Sequence, residues 1–569
     1  MKNVRKLLWT AAVAVFCLFA LVHLADVLAR PFLLYRDYPW FLGSNRTLLA
    51  AIRDIVCYSL LAVVPVCLFG RWSRFLLVPF FVYAVGVDIA VHYAWALYKI
   101  PLGEFWPAAL ANSSGDEIVT FLKMSLTPGA VAGLVGILLV LAAGVFVLAK
   151  ARYPRVTLRT WVLGLLLTLP FCVFNLCLTD AKYGIREMLY SDFVVRSALS
   201  WSRMKGLCDA CSDKPRLPER LMCEAVAEER PNVVFVIGES SSRAYWHLYG
   251  YPRQTTPRMD ALCREGNGGV CFRDVVSVSG ATSESICMML TDVSLDNPMV
   301  GGWALPEVYR RAGYRGTLIT NQQLWRFDQD ALLSKVFNGC AERIKMAEEF
   351  PGDGRPYDEK TAEVLAHVLR GAAADSPQIV FVHLAGAHFP VENAIPKAEE
   401  HFSDSVEGEC LAGLSPEARA RANRYDDAVR YGDKVLELLV DVVKAESRRP
   451  ACLVFVSDHG ESPRNDYWRN RESEDVYEVP FVIWFSDAYR KAFPDVVAAA
   501  FRAATRPVQN DELVHGLAEL GRISGLPGAR PERSFLHPDF KGRHPRKLDM
   551  GRAVYSKDMK PAQHEEQAK

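Results

Sequence analysis

Five apolar stretches, at roughly 7–29, 47–70, 75–97, 128–149 and 158–178, fill the first 180 residues. Each is about as long as the roughly 20-residue helix that crosses a bilayer. The pattern therefore predicts a five-helix transmembrane domain over 1–180. The first stretch follows Lys2, Arg5 and Lys6, but it is long for a signal peptide and lacks a small-x-small cleavage site, so it reads as an uncleaved helix. Past residue 229 the pattern changes. Short β-rich runs at 232–237, 316–320, 379–384, 452–457 and 479–485 alternate with helix-like segments at 303–312, 358–370 and 415–446. Apolar strands separated by helices predict an α/β domain over 229–545, a mostly parallel sheet covered by helices on both faces. Between the two lies a connector, 181–228, in which Phe193, Val194, Ala198 and Leu199 recur at near-helical spacing and suggest an interfacial helix or, equally, an ordinary packed one. Residues 546–569 are polar and aperiodic, as in a flexible tail.

Charge sharpens this division. The net charge of +1 conceals 15 Lys and Arg against 8 Asp and Glu in residues 1–180, and 51 against 57 beyond. Neither part is basic enough for a nucleic-acid binder. With a cytoplasmic N-terminus the inner flanks of the spans hold nine Lys and Arg and the outer loops five, so residues after 180 face outward. Arg53, Asp54, Asp88 and His92 within the spans read as ion pairs or as groups near span ends, with a substrate path as the alternative. The long outer loop 98–127 carries Asn112 and Glu117, candidate contacts for a lipid headgroup.

Ligands of parallel α/β sheets gather at the carboxyl ends of the strands. There the first run ends in Gly238-Glu239-Ser240 and a later one in Ser457-Asp458-His459-Gly460-Glu461. Two carboxylates and an imidazole leaving apolar strands at one edge make a plausible metal set. Thr282 follows a strand-like run through a small-residue turn and opens a probable helix, where a hydroxyl meets backbone N–H groups suited to phosphate. The same position also suits an ordinary helix cap.

The run 238–243 (GESSSR), followed by 248–257 (LYGYPRQTTP), resembles the signature of bacterial phosphoethanolamine transferases of the alkaline phosphatase and sulfatase superfamily. Further matches follow in order: the Thr282 segment, 324–326, 383–390 (HLAGAHFP), Tyr425-Asp426-Asp427 to Tyr431, and 457–462 (SDHGES). The resemblance implies Zn²⁺ at one site held by Glu239, Thr282, Asp458 and His459, with Mn²⁺ or Mg²⁺ ranked below it. Thr282 would be the attacking hydroxyl. His388 is a candidate proton donor to a leaving oxygen, and Arg243 a phosphate or supporting group. Glu478, just before Val479-Pro480, joins Arg243, Asn112 and Glu117 as a candidate substrate contact; a histidine of the family is missing from that region. The implied reaction moves phosphoethanolamine from phosphatidylethanolamine to a lipopolysaccharide acceptor, core sugar or lipid A, through phosphothreonine. The implied setting is the bacterial inner membrane, with the catalytic domain in the periplasm. Ser279-Gly280-Ala281 stands where the lipid A branch has Cys-Gly, and Thr282-x-Glu284 looks more like the core-sugar branch. A phosphoglycerol transferase, a sulfatase or phosphodiesterase of the same superfamily, and a non-catalytic membrane-anchored scaffold are the alternatives.

Of 14 cysteines, nine fall in the outer part. Exported cysteines tend to pair, and Cys263 with Cys271 is the best local candidate. Cys452, inside an apolar strand, is expected to stay free.

Overall fold

The computed structural model describes residues 64–83, positions between 135 and 166, and most of 217–559. The chain divides into two compact units, 1–202 and 203–569. In the first, the helical run Val64–Tyr83 is long and apolar enough to cross a membrane, the one such helix among the described residues. It is interrupted by a single 3₁₀ turn, Gly70–Ser73, with Gly70 at φ +50°. That turn falls between the second and third predicted spans. Described helical residues at 135–150 and 158–166 lie in or beside the fourth and fifth. The first span, the loop with Asn112 and Glu117, and the 190–201 segment lie outside the described residues.

The second unit is built on a seven-stranded sheet. Its strands are β1 (Asn232–Gly238), β2 (Gly269–Phe272), β3 (Arg315–Thr320), β4 (Glu342–Lys345), β5 (Gln378–His383), β6 (Ala451–Ser457) and β7 (Phe481–Phe485). Their spatial order is β2-β7-β6-β1-β5-β3-β4. All run one way except β7, which is antiparallel to both neighbours. The sheet is thus mixed but mostly parallel, as the sequence suggested, with one strand reversed. Strand direction depends on how the preceding chain returns, which an apolar run such as 479–485 does not record.

Strand alternation builds the two cores. Val233, Phe235 and Ile237 of β1 face one layer, with α1 (Thr282–Leu290) and α2 (Leu305–Arg311). Val234 and Val236 face the other, with α3 (Lys360–Gly371) and α4 (Pro416–Glu446). Both faces are covered, so β1, β5 and β6 are apolar throughout their interiors, with polar residues only at their ends; each such buried apolar side chain contributes about 2 kcal/mol.

Register then fixes the site. Ile237 lies beside His383, and Gly238 beside Ser457. The next residues on β1 and β6, Glu239 and Asp458, therefore emerge side by side at one edge. Two boundaries differ from the sequence reading. Leu217, Leu221 and Ala225 pack into the core, and Met222–Cys223 pairs with Ile523–Ser524, so part of the connector belongs to this domain. Residues 546–559, read as tail, are anchored to the domain at two points: Arg546 is 2% exposed and pairs with Asp274 and Asp558, and Tyr555 is buried completely with its hydroxyl on Glu478.

Candidate metal and nucleophile site

Glu239, Asp458 and His459 are all buried, and each presents a ligand atom within 4.8 Å of the others. Thr282 opens α1 directly beside them. Its Oγ1 donates to Glu239 Oε2 at 3.1 Å and lies 3.4 Å from His459 Nε2. His459 Nε2 is 3.5 Å from both Glu239 Oε1 and Asp458 Oδ2. In α1 the N-cap position is Ala281, with no side-chain cap. The Thr282 hydroxyl is thus spent on the acidic set rather than on capping its helix.

These separations suit a cation. Four ligands bonded at 2.0–2.1 Å in a tetrahedron stand about 3.3 Å from one another. Asp458 supplies a second observation. Its Oδ1 accepts from His459 N at 2.6 Å and Ser240 N at 3.1 Å, while buried Oδ2 accepts no hydrogen bond among the described residues. Full burial pushes this carboxyl up to about 7 against those two N–H donors. A buried anion with one oxygen unmatched is suited to an ion. The His459 Nδ1 contact with Gly460 O, at 2.9 Å, assigns the proton to Nδ1 and leaves the Nε2 lone pair facing the cluster. One imidazole nitrogen, two carboxylates and a hydroxyl form a donor set that fits zinc.

The loops holding this set combine part of the 383–390 match with Gln322 and Asp358, which the sequence reading did not single out. Gln322, just past β3, donates through Nε2 to Glu239 Oε2 at 3.3 Å and to Leu384 O at 2.9 Å. His383, the last residue of β5, places Nε2 4.0 Å from Glu239 Oε2. Beyond it the chain turns at Gly386, φ +55°, where a Cβ would lie 2.5 Å from Glu239 O. Only glycine permits that approach. Asp358 secures the turn, accepting from Ala385 N, Gly386 N and Asn321 Nδ2, each at 2.8 Å. Half-buried His388 follows on the same loop. Replacing Asp358 by Asn sets an amide against one of these donors. It is expected to cost about 2 kcal/mol in a denaturant melt and to slow turnover through the displaced 385–388 loop. The signal for Asp358 was faint: an acid at the start of a helix-like segment, 25 residues before the 383–390 motif.

Arg243 and Glu478 meet each other, 3.5 Å apart. Arg243 also donates to Arg273 O, Asp274 and the Tyr555 hydroxyl. Lys557 reaches Glu478 at 2.6 Å, and Arg546 reaches Asp274 at 2.8 Å. Burial pushes the Glu478 carboxyl up, but Arg243 and Lys557 together hold it below the usual carboxylate range. These two candidate substrate contacts thus share a buried ion network with the 546–559 segment. Cys263 and Cys271, expected to pair, are both free thiols, as is Cys452. The 324–326 stretch lies outside the described residues.

Among known proteins, the phosphoethanolamine transferase EptC of Escherichia coli K12 is 30% identical over 322 residues, covering 55% of this chain and 54% of its own length. The chain thus spans about half the length of the curated relatives it matches. The zinc complex of the periplasmic domain of Escherichia coli EptC superposes with a TM-score of 0.54 at 28% identity, covering 61% of this chain and 98% of that domain. Neisseria meningitidis lipooligosaccharide phosphoethanolamine transferase A, an integral membrane protein, gives 0.61 at 18% identity over 94% of this chain and 97% of its own. The last likeness is one of fold, and it supports an N-terminal membrane domain ahead of the sheet. Residues 231–523 match the sulfatase family. Since that stretch is more than half of the chain and takes in both strand ends and the threonine between them, the chain belongs to the sulfatase family.

Proposed function

We propose that the chain transfers phosphoethanolamine from phosphatidylethanolamine to a lipopolysaccharide acceptor, a core sugar or lipid A. Its setting is the bacterial inner membrane, with this domain in the periplasm and the multi-pass N-terminal part anchoring it near its lipid donor. The observation that carries the reading is the Thr282 hydroxyl, 3.1 Å from Glu239 and 3.4 Å from His459. Similarity to proteins named phosphoethanolamine transferases supports the choice of group transferred.

Glu239, Asp458, His459 and Thr282 would hold zinc, which when bound lowers the pKa of a nearby hydroxyl and offsets phosphoryl charge. Thr282 Oγ1 attacks the donor phosphorus as its proton leaves along the hydrogen bond to Glu239 Oε2. The bond from phosphorus to the diacylglycerol oxygen breaks, and His388 protonates that oxygen. A phosphothreonine remains. The acceptor hydroxyl then attacks the same phosphorus and gives up its proton to the base that His388 has become; the bond to Thr282 breaks and Oγ1 recovers a proton. The N–H groups opening nine-residue α1 face the anionic phosphoryl group favourably.

Mass spectra of lipid A and core oligosaccharide from cells with and without the protein test this reading. The expected result is one added phosphoethanolamine unit on one of them. Identical spectra, from cells that make the protein and its lipid donor, would remove the proposed acceptor class.

A further inference from the structure

The direction in which Glu239 leaves β1 depends on the residue after it, and Ser240 sits in an unusual backbone conformation. Its φ is +56°, a region that residues with a Cβ avoid, and it is wholly buried. Two of its hydrogen bonds run to the acidic set itself: its N–H donates to Asp458 Oδ1, and its hydroxyl to Glu239 Oε1 at 2.7 Å. A third comes from outside. The Tyr425 hydroxyl, on α4, donates to Ser240 O at 2.7 Å. The same phenol oxygen accepts from Ser242 N at 2.8 Å. One oxygen therefore bridges the carbonyl and the amide on either side of Ser241.

The clamp is itself firmly placed. Tyr425 is fully buried, and its ring meets Tyr245 edge-on at 5.1 Å. The next residue, Asp426, pairs with Arg253 at 2.6 Å and accepts from the Tyr251 hydroxyl at 2.7 Å. Adjacent residues of one helix thus grip both ends of the 240–253 loop.

We propose that Tyr425 is a positioning residue of the metal centre, its hydroxyl holding Ser240 in the left-handed conformation that keeps the Glu239 carboxylate turned toward Thr282. The inference rests on the zinc reading above and assigns to it a group that never touches substrate. Without the hydroxyl the ring still fills its space. Ser240 O and Ser242 N then lose their shared partner, and Ser240 can relax to negative φ, swinging Glu239 out of line.

Zinc titration of the full chain in detergent, against a competing chelator, provides the test. Wild-type protein that binds no zinc would count against the metal reading itself. If wild type binds, Tyr425→Phe is expected to bind about ten- to a hundredfold more weakly, with kcat reduced and KM little changed. Tyr245→Phe, an equally buried ring whose hydroxyl meets Asp475, should stay within about twofold of wild type. Two double variants isolate the backbone. Y425F with S240G should bind zinc more tightly than Y425F with S240A, because both lack the serine hydroxyl and only glycine takes this φ without strain. Should Y425F not fold, S240G against S240A in the otherwise natural chain decides, with S240G again the tighter. Unchanged zinc affinity in Y425F, an equal loss in Y245F, or equal affinity of the glycine and alanine members would overturn the proposal.

Discussion

T282A is expected to abolish transfer while leaving the fold in place. The hydroxyl makes no cap bond to α1, and its recorded contacts run to Glu239 and His459. Alanine is at least as good a helix former there, so no structural hydrogen bond of the helix is lost. The chemistry loses its attacking atom, and the rate of transfer should fall by about 10³-fold or more. T282S keeps an oxygen and should retain measurable activity. Intact-protein mass adds a second readout. Wild type given donor and no acceptor should gain one phosphoethanolamine, with diacylglycerol released, while T282A gains none. Transfer by T282A at the natural rate would remove Thr282 from the mechanism.

The second large effect is expected at Asp458, with opposite signs for activity and for metal-free stability. D458N deletes an anionic ligand, so zinc affinity should fall by about a hundredfold or more and turnover with it. In the metal-free protein the carboxyl sits at about 7, against its usual 3.8, because it is completely buried. Its pKa is raised on folding. Its contribution to stability is therefore fully present below about pH 4 and is lost as the pH rises through about 7, a difference of at most about 4 kcal/mol. Asparagine carries no such penalty, and its amide oxygen, placed where Oδ1 stood, still accepts from both Ser240 N and His459 N. Metal-free D458N should thus melt above metal-free wild type at pH 8 and lose that advantage at pH 4. With zinc present the order should reverse at pH 8. A metal-free D458N protein that melts lower than wild type at pH 8 would contradict the buried-anion account.

The central strands were legible because burial on both faces leaves an unbroken apolar run, as in 233–237 and 452–456. α4 was legible from its period and from Ser415, which caps it by accepting from Ala418 N. Strand Glu342–Lys345 (ERIK) was missed because an edge strand has one exposed side and reads as polar. The acidic and imidazole members of the site could be named since each directly follows a strand, and position after a strand is written in the sequence. Gln322, Asp358 and Tyr425 could not. Their roles come from loops meeting across the sheet edge, and a tyrosine in a helix looks the same whether it fills a core or holds a serine. Cys263 and Cys271 stay free although the Cys271 thiol helps burial push the Cys263 thiol up: closeness does not by itself supply the geometry a disulfide needs.

The anchored 546–559 segment has a consequence for the order in which the domain matures. Asp274, Glu478 and Arg243 are translated well before Arg546, Tyr555 and Lys557, and a nascent domain assembles from its N-terminal end. Until that closing stretch has been made, half-buried Asp274 and buried Glu478 share Arg243 alone and lack Arg546 and Lys557. The sheet can form early, but this corner of it stays electrostatically incomplete until nearly all of the described sequence has been synthesised.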